Sequence, residues 1–541
     1  MSNKSNSSKY FILIAVAVFG MVLGATYQHN KENGLMKILP SLSLNKTEKI
    51  AKILKVIKNN YVDSLNTDSL EELAINDILN SLDPHTVYLP PIQAKNQNES
   101  LEGNFEGIGV EYYILNDTLF VTHVRKDGPS YKSGLKKGDK IIEVNQEALN
   151  TKGLLSENIV NKLRGKRGSM VNVTVKREGI QKNIFFDIVR DKITISSIDA
   201  AFLLTKEIGY IKISRFGANT DSEFEEDLTK LKKAGITNLI LDLRGNGGGY
   251  LSAATSIADQ FLPNDKLIVF TKGLHEPRTD YTATANGIFE SGKLIILVDE
   301  GTASASEIVA GAIQDLDRGT IIGRRSFGKG LVQEQFAFDD GSAMNLTIAR
   351  YYTPSGRSIQ KSYANGKDAY YEEINNRYNH GDYSSLDSTL KDTLFIKATK
   401  FKTAKGRTVY SGGGILPDIF IPLDTTMVTP FFKNVIAKGL VNDYVYNQLT
   451  KKIKPSNYAN AADFVNQFNL SAQDYNLFLK YCTNKKLEVN LKNATISRQV
   501  ISTQIKALLA KYYFGDEGFY RTINNADDFV LKAIQKIKNP A

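Results

Sequence analysis

The spacing of apolar residues changes several times along the chain of 541 residues. Between residues 46 and 82 apolar residues recur every three or four positions, from Ile50 to Leu79, which predicts two amphipathic helices. From residue 103 to 191 short apolar runs alternate with glycine and aspartate turns, as is typical of a small β-rich domain. Helical spacing returns from about residue 430 onward, so we expect a C-terminal helical domain.

The middle of the chain alternates strand-like and helix-like segments. Strands are predicted at residues 208–213 and 238–243, with a helix at 220–234 between them. A glycine-rich loop at 244–249 then leads through a second helical segment to the apolar run 267–270. This order predicts βαβ units and therefore an α/β layer.

Two further patterns follow this region. Alternating residues at 334–338 and 343–352, joined by an Asp-Asp-Gly turn, predict a β-hairpin. Residues 361–392 are polar and rich in tyrosine and asparagine, and we expect them to form a surface excursion.

The start of the chain has the pattern of an export signal. Residues 11–25 form an unbroken run of apolar and small residues behind a polar segment that contains Lys4 and Lys9, and the run is short for a membrane span. Of the two small residues that a cleavage site needs, only Ala25 is present, and no lipobox cysteine follows, which favours a signal anchor over a cleaved signal peptide. We therefore expect the rest of the chain to lie on the periplasmic side, exported or anchored to the inner membrane.

Charge and composition argue against several partners and cofactors. The net charge of +10 is spread thinly, and the lysines at 49, 52, 55 and 58 are best explained as a solvated helix face, so no nucleic-acid partner is expected. The single cysteine, Cys482, excludes an intrachain disulfide and a cysteine-based metal site. The five histidines are scattered and form no HExxH pattern, so we expect no metal and no other cofactor.

Ser304 and Lys329 are the candidate reactive residues. An apolar strand at 294–298 leads into a turn of small residues, and a helical pattern begins near Ser304, where free N–H groups and the helix dipole favour negative charge. Lys329 stands between Gly328 and Gly330, so it can pack closely and be shielded from water, which favours its neutral amine. A serine hydroxyl beside a neutral amine is a nucleophile with its general base.

Two alternative interpretations fit the sequence less well. Residues 323–329 satisfy the Gly-x4-Gly-Lys spacing of a phosphate-binding loop, but Gly330 stands where Ser or Thr would hold Mg²⁺, and strand-like residues follow where a helix should begin. His85, after Asp83 and Pro84, is an alternative base. A structural role in that turn is the simpler interpretation because a lysine is already available.

The residues around Ser304 and Lys329 resemble the catalytic signature of the C-terminal processing peptidases, or tail-specific proteases. The resemblance rests on Thr-Ala-Ser-Ala-Ser-Glu at 302–307 and Ser-Phe-Gly-Lys-Gly-Leu-Val-Gln at 326–333, and it extends over roughly residues 70–422. Members of this family are Ser/Lys-dyad enzymes with an embedded PDZ domain. The resemblance implies that Ser304 is the nucleophile, that Lys329 is its base and that Gln333 holds the amine.

The same resemblance implies an oxyanion hole and a peptide-binding loop. The sequence at 243–249 is similar to the family's Leu-Arg-x-Asn-x-Gly-Gly loop, which implies that the N–H groups of Gly248 and Ala305 stabilise the oxyanion. The sequence at 106–110 resembles the loop of a PDZ domain that binds a peptide C-terminus. The implied peptide-binding residues are Gly107, Ile108, Gly109 and Val110, with Arg164 either pairing with the terminal carboxylate or lying at the surface.

Together these patterns predict a multidomain α/β protein. Its protease core would be an α/β unit of the crotonase or ClpP type, with an inserted β-rich PDZ domain, an N-terminal helical segment and a C-terminal helical domain. The predicted boundaries are 1–27 for the signal or anchor, 39–100 for the N-terminal helices, 101–191 for the PDZ domain, 192–425 for the core and 426–541 for the C-terminal domain.

The expected activity is serine-type hydrolysis of peptide bonds in proteins with an apolar, free C-terminus. The expected partners are these substrates and, through the N-terminal segment, the membrane. The C-terminal domain either docks on the core or forms a homo-oligomer contact. The alternative is a catalytically silent, membrane-tethered PDZ scaffold; the presence of Ser304, Lys329 and Gln333 favours the enzyme.

Overall fold

A computed structural model describes residues 44–115, 118–149, 156–386 and 398–539. The expected export signal or anchor at 1–27 lies outside the described residues. No helix within the described ranges has both the length and the apolar character needed to cross a bilayer. The chain divides into two units, Met1–Leu82 and Asp83–Ala541.

The first unit contains the two predicted amphipathic helices. They are α1 (Leu44–Asn60) and α2 (Thr67–Asn80). The side chain of Asn66 caps α2 by accepting hydrogen bonds from the backbone N–H groups of Asp68 and Ser69, which satisfies donors that the first helical turn leaves free.

The second unit opens with a connecting segment and a β-rich domain. In chain order their elements are β1 (Val87–Leu89), α3 (Pro91–Glu102), β2 (Asn104–Gly107), β3 (Val110–Leu115), β4 (Thr118–Val124), α4 (Pro129–Ser133), β5 (Lys140–Val144), β6 (Glu147–Ala148), α5 (Ser156–Leu163), β7 (Met170–Lys176), β8 (Ile184–Val189) and β9 (Asp191–Thr194). One antiparallel sheet is ordered β3-β4-β5-β7-β8, and β6 pairs with β5. Ile159 and Leu163 of α5 close its core. β2 and β9 pair with each other, so the two ends of the domain lie together, as an insertion into a larger unit requires.

An α/β core follows the β-rich domain. Its elements are β10 (Ile198–Leu203), β11 (Ile208–Ile213), α6 (Thr220–Lys233), β12 (Asn238–Asp242), α7 (Leu251–Asp259), β13 (Leu267–Lys272), β14 (Thr279–Thr282), β15 (Lys293–Val298), α8 (Ala305–Asp315), β16 (Thr320–Gly323), β17 (Leu331–Ala337), β18 (Ala343–Tyr352), α9 (Lys367–Asn379), β19 (Lys400–Lys402), β20 (Thr408–Tyr410) and β21 (Ile419–Phe420). The main sheet is ordered β10-β11-β12-β15-β16-β21; β10 is antiparallel to β11, and the other neighbours are parallel. Every residue of β11 and β12 is buried, as expected for a parallel sheet covered on both faces.

β13 does not join this parallel sheet, although the predicted βαβ order implied that it would. It pairs antiparallel with β14 and with the end of β18, in a second sheet ordered β1-β18-β13-β14. The sequence identified the strand but not its partner, because strand pairing depends on packing with distant residues. The predicted hairpin is confirmed as β17 and β18, which pair antiparallel.

Residues 361–386, the described part of the surface excursion predicted at 361–392, are more than a surface excursion. They contain α9, in which Tyr370 and Arg377 are each only 2% exposed. The polar composition concealed this burial because the buried groups of α9 are paired ionic and aromatic side chains rather than an apolar stripe.

The C-terminal region is helical, as predicted. It contains α10 (Pro430–Ala437), α11 (Leu440–Tyr444), a π-helical turn (Val445–Leu449), α12 (Thr450–Lys452), a 3₁₀ turn (Pro455–Asn457), α13 (Ala461–Gln467), α14 (Ala472–Asn484), α15 (Leu491–Ile496), α16 (Arg498–Asn524) and α17 (Asp528–Lys538). Most of these helices share a hydrophobic core with Leu115 and Phe120 of the β-rich domain. In contrast, α17 packs Phe529 and Val530 against the main sheet of the α/β core, so the C-terminal region contacts both domains.

Candidate active site

Ser304 occupies the turn between β15 and α8, immediately before the first residue of the helix. Its φ of 56° and ψ of −117° are unfavourable for a residue that has a side chain. The Ser304 N–H donates to Glu307 Oε2 at 2.8 Å, and the Ser304 carbonyl accepts from the Tyr351 hydroxyl at 3.1 Å. The surrounding structure therefore imposes this strained conformation and fixes the backbone of the candidate nucleophile.

The glycine-rich loop after β12 lies directly against this turn. Gly248 has a φ of 103°, and a β-carbon there would lie 2.8 Å from Ser304 Cβ and 3.0 Å from Ala305 N. Only glycine fits this contact. Ala305 is the first residue of α8, and its N–H has no acceptor among the described residues. The Gly248 N–H, in contrast, donates to Asn246 Oδ1 at 2.9 Å. The structure brings both predicted oxyanion donors beside Ser304, and an oxyanion would share the Gly248 N–H with Asn246.

Asn246 is a site residue whose role the sequence alone does not reveal. Its fully buried side chain donates from Nδ2 to the Ile213 carbonyl at 3.1 Å. Its own carbonyl accepts from the Ala303 N–H at 2.9 Å and from the Ser306 hydroxyl at 3.0 Å. Asn246 thus ties the glycine-rich loop to β11 and to the Ser304 turn. An asparagine inside a glycine-rich loop was the available signal, since asparagine side chains stabilise turns.

Lys329 and Ser304 line the same cleft, which has a volume of about 900 Å³. In the described part of the chain the Lys329 amine has no hydrogen-bond or ion-pair partner. Burial lowers the pKa of Lys329 to about 8, and the nearby carboxylates of Asp83 and Glu307 oppose this shift. About one-tenth of the amine is therefore neutral at pH 7, far more than for an exposed lysine.

The carboxylate of Glu307 connects the Ser304 turn with the Lys329 loop. Its Oε2 accepts the backbone N–H of Ser304 at 2.8 Å and that of Lys329 at 2.9 Å. Its Oε1 accepts the Ser326 hydroxyl at 2.5 Å and the Gly328 N–H at 2.8 Å. Burial raises the pKa of Glu307, but the four donors oppose this and favour the carboxylate. The sequence signal for it was a glutamate three residues after a helix N-cap, the spacing of a capping box.

Replacing Glu307 by glutamine should lower both stability and activity. In either orientation the amide nitrogen would face at least one N–H donor of the protein, that of Gly328 or those of Ser304 and Lys329, leaving buried groups unpaired at a cost of about 2–4 kcal/mol in the free energy of unfolding. Because the same bonds fix Ser304 and Lys329, we expect kcat to fall by roughly 10²-fold. Urea denaturation measures the first effect and hydrolysis of a peptide, the activity that the sequence predicts, measures the second, with Glu225→Gln on exposed α6 as the matched control. A Glu307→Gln variant with unchanged kcat would contradict this role.

Gln333 lines the same cleft, but its side-chain amide is directed to another partner. The Gln333 Nε2 donates to Thr347 Oγ1 at 3.2 Å, and Thr347 Oγ1 donates to Asp83 Oδ1 at 3.2 Å. A hydrogen bond between Gln333 and Lys329 is not present among the described residues. The role of Gln333 in holding the amine stays a prediction.

His85 also faces the cleft. Its backbone N–H donates to Asp83 Oδ1 at 2.8 Å, and its ring Nε2 lies 2.9 Å from the Tyr370 hydroxyl. Burial, together with the positive charge of Lys329, lowers the pKa of His85 to about 3. The hydrogen bonds to Asp83 and Tyr370, together with the lowered pKa, agree with a structural role for His85 in this turn.

A second cleft, of about 130 Å³, lies between β3 and α5 of the β-rich domain. Ile108, Gly109 and Val110 line it, and Gly107 is adjacent, at the end of β2. Arg164 lines it as well, 3.2 Å from Glu99 Oε2 of α3 and with its guanidinium carbon 4.5 Å from the centre of the Phe105 ring. Arg164 is therefore at the predicted groove and paired with a carboxylate of the protein itself.

Three segments of the chain match known protein families. Residues 207–366 match peptidase family S41, residues 106–187 match the PDZ domain, and residues 431–515 match a family of unknown function, DUF8443.

Individual relatives agree with this assignment. A carboxy-terminal-processing protease of Bartonella bacilliformis (strain ATCC 35685 / KC583 / Herrer 020/F12,63) is 36% identical over 313 residues, which is 57% of this chain and 71% of that protein. The carboxy-terminal processing protease CtpB of Bacillus subtilis (strain 168) is 35% identical over 317 residues, 58% of this chain, and this match spans slightly less than two thirds of its own length, 65%. The solved photosystem II D1 C-terminal processing protease is 28% identical with a TM-score of 0.33, covering 57% of this chain and 89% of that one. Because the chain is 36% identical to the Bartonella protease over 71% of that protein's length, it belongs to peptidase family S41, among the carboxy-terminal processing proteases.

Proposed function

We propose that this protein is a serine endopeptidase that selects protein substrates by their C-terminal tail through its PDZ domain and hydrolyses peptide bonds with Ser304 and Lys329. One observation carries the proposal. A serine in a strained turn, the open N–H group of Ala305 and a buried lysine amine without a partner among the described residues all line one cleft large enough for a peptide.

In the proposed reaction Lys329 accepts the proton of the Ser304 hydroxyl as that oxygen attacks the carbonyl carbon of the scissile peptide bond. The N–H groups of Ala305 and Gly248 would stabilise the negative charge on the tetrahedral intermediate. The proton then passes from the lysine to the leaving amine, and the acyl-enzyme is released by water with the same amine as base.

The test is cleavage of an unfolded protein by the full-length chain in mild detergent. Two substrates should be compared that differ only in whether the C-terminal tail is apolar or charged. We expect the apolar-tailed protein to be cleaved faster, and we expect EDTA to leave the rate unchanged because the proposed base is an amine. Loss of activity in EDTA, or cleavage that a fluorophosphonate reagent does not block, would overturn the mechanism. Equal rates for the two tails would overturn tail selection alone.

Arg164 should contribute to tail recognition. A guanidinium–carboxylate bond is worth about 1.5–3 kcal/mol, so Arg164→Gln should raise KM for a free-tailed substrate about tenfold with kcat unchanged. A substrate with an amidated C-terminus provides the test, since it lacks the carboxylate and its KM should not respond to the substitution. Arg167→Gln, an exposed arginine paired with Asp191 outside the groove, is the matched control. An equal effect on the amidated substrate would contradict carboxylate binding by Arg164.

We further propose that the catalytic domain works outside the cytoplasm, attached to the inner membrane. The basis is the sequence pattern of a basic segment followed by the apolar run 11–25. A reporter enzyme that is active only in the periplasm, fused after Ala541, should be active in cells that express the full chain. A reporter that stays inactive would overturn this localisation.

A further inference from the structure

The loop that carries Lys329 has no regular secondary structure, yet its carbonyl groups are bound by other parts of the protein. We call residues 325–330 the base-bearing loop. Three successive carbonyls in it accept hydrogen bonds from one guanidinium, that of Arg377 in α9. The distances are 3.3 Å to Arg325 O, 2.8 Å to Ser326 O and 3.1 Å to Phe327 O. Buried carbonyls need such partners, and here a single side chain supplies them for half of the loop.

Arg377 is itself held rigidly. Its side chain is 1% exposed, and Glu373, one helical turn earlier, accepts from its Nε at 2.8 Å and from Nη2 at 3.0 Å. Glu373 also pairs with Lys361 at 2.8 Å and with Arg325 at 3.2 Å. Burial alone would raise the pKa of Glu373, but Arg377, Arg325 and Lys361 together lower it to about 2. The carboxylate is therefore charged at any working pH and keeps the guanidinium in place.

The rest of the base-bearing loop is bound from other directions. The backbone N–H of Lys361 donates to the Gly328 carbonyl at 2.9 Å, and the Tyr351 hydroxyl lies 2.5 Å from the Lys329 carbonyl. Glu307 binds the N–H groups of Gly328 and Lys329 on the side of the nucleophile. The loop is thus held between Glu307 and α9, and α9 lies beyond the residues 207–366 that match family S41.

We propose that Arg377 is a positioning residue for the general base. By binding three successive carbonyls, it would fix the backbone of the base-bearing loop and keep the Lys329 amine shielded from water in the catalytic cleft. The inference rests on the proposed function of Lys329 as the base. By this inference α9 contributes to the reaction, although it lies far from Ser304 and Lys329 in the sequence.

Removal of the guanidinium should change how the base titrates. Without Arg377 the loop loses three bonds on one side, water reaches the amine, and the pKa of Lys329 moves back toward its ordinary value. The other groups that face the amine, Asp83, Glu307 and His85, are unchanged. A rise of one pH unit in the pKa lowers the neutral fraction at pH 7 about tenfold, so the activity lost at neutral pH should be largely regained at higher pH.

The experiment compares Arg377→Met and Arg377→Lys with the wild type across the pH range of Lys329 titration, using the full-length chain and a reporter peptide. Arg377→Met should lower kcat at pH 7 by about tenfold or more, leave KM unchanged and move the rising limb of the pH–rate profile to higher pH. Arg377→Lys should give the same change, because a point charge cannot bind three carbonyls in the geometry of a planar guanidinium. It also serves as the test if Arg377→Met does not fold.

Arg318 offers a matched control. Its guanidinium also binds three carbonyls of the same core, those of Phe261 at 2.8 Å, Gly292 at 2.9 Å and Phe289 at 2.7 Å, away from the catalytic cleft. Arg318→Met should lower the melting temperature and leave kcat and the pH profile unchanged. The inference is overturned if the Arg377 variants keep the wild-type pH profile, or if Arg318→Met shifts it equally. Failure of the proposed function would look different, since the wild-type chain itself would then show no serine-dependent cleavage.

Discussion

Replacing Ser304 by alanine should reduce peptide hydrolysis by roughly 10⁴-fold or more, because the nucleophile and its base act as a unit and neither works alone. KM should change little, since the cleft walls and the PDZ groove are untouched. The measurement is kcat for a reporter peptide, with labelling by a fluorophosphonate as a second readout that requires the same hydroxyl. Labelling should be stoichiometric for the wild type and absent for Ser304→Ala.

Ser304→Gly should be equally inactive and yet more stable than the wild type. Glycine accepts a φ of 56° without strain, so relief of this conformation should raise the free energy of unfolding by about 1 kcal/mol. Ser222→Ala, at an exposed position in α6, is the control for serine removal. Continued cleavage or labelling in Ser304→Ala would mean that another residue is the nucleophile, and a destabilised Ser304→Gly would mean that the turn stores no strain.

Replacing Lys329 by methionine should lower kcat by about 10³-fold near neutral pH, since the general base is lost while apolar volume is kept. In the wild type the rate should rise about tenfold per pH unit below a pKa of about 8 and level off above it, because only the neutral amine accepts a proton. The residual activity of Lys329→Met should not show this rise with pH. Exposed Lys232→Met is the control and should keep the wild-type profile.

The same substitution should stabilise the protein at neutral pH. The pKa of Lys329 is lowered in the folded state, so between about pH 8 and the ordinary lysine pKa the unfolded chain binds more protons and folding stability rises with pH. Below that window the folded state carries a buried charge at a cost on the order of 3 kcal/mol, which Lys329→Met removes. The gain should vanish at strongly alkaline pH. Equal stability of the two proteins at pH 7 would contradict a buried, partner-free amine.

The sequence predicted the parts of the site that depend on local signals. The strand and helix on either side of Ser304, the glycines beside Lys329 and the glycine-rich loop follow rules that operate over a few residues, and the structure brings them together. The predicted groove residues Ile108 to Val110 are likewise adjacent to α5. These elements could be predicted because turn and capping preferences depend on neighbouring residues in the sequence.

The remaining parts depend on contacts between distant residues. Glu307 links the serine turn and the base-bearing loop across 22 positions, and Arg377 reaches that loop from 50 positions away. Contacts between residues so far apart in the chain produce no periodic pattern in the sequence. The pairing of Arg164 with Glu99 and of β13 with β18 is of the same kind. A polar segment such as α9 is also misjudged by hydropathy, since its burial is compensated by charge pairing.

The position of α17 has a consequence for the synthesis of the protein. This helix covers the face of the main sheet that contains Ile240 and Ile295, and Asp527, at its start, pairs at 2.7 Å with Arg244 of the glycine-rich loop. Yet α17 follows β16 by about 200 residues. A ribosome that has already synthesised Ser304 and Lys329 has therefore not yet synthesised the helix that covers the sheet. The nascent chain carries its reactive residues on an unfinished core, so proteolytic activity should emerge only when synthesis is nearly complete.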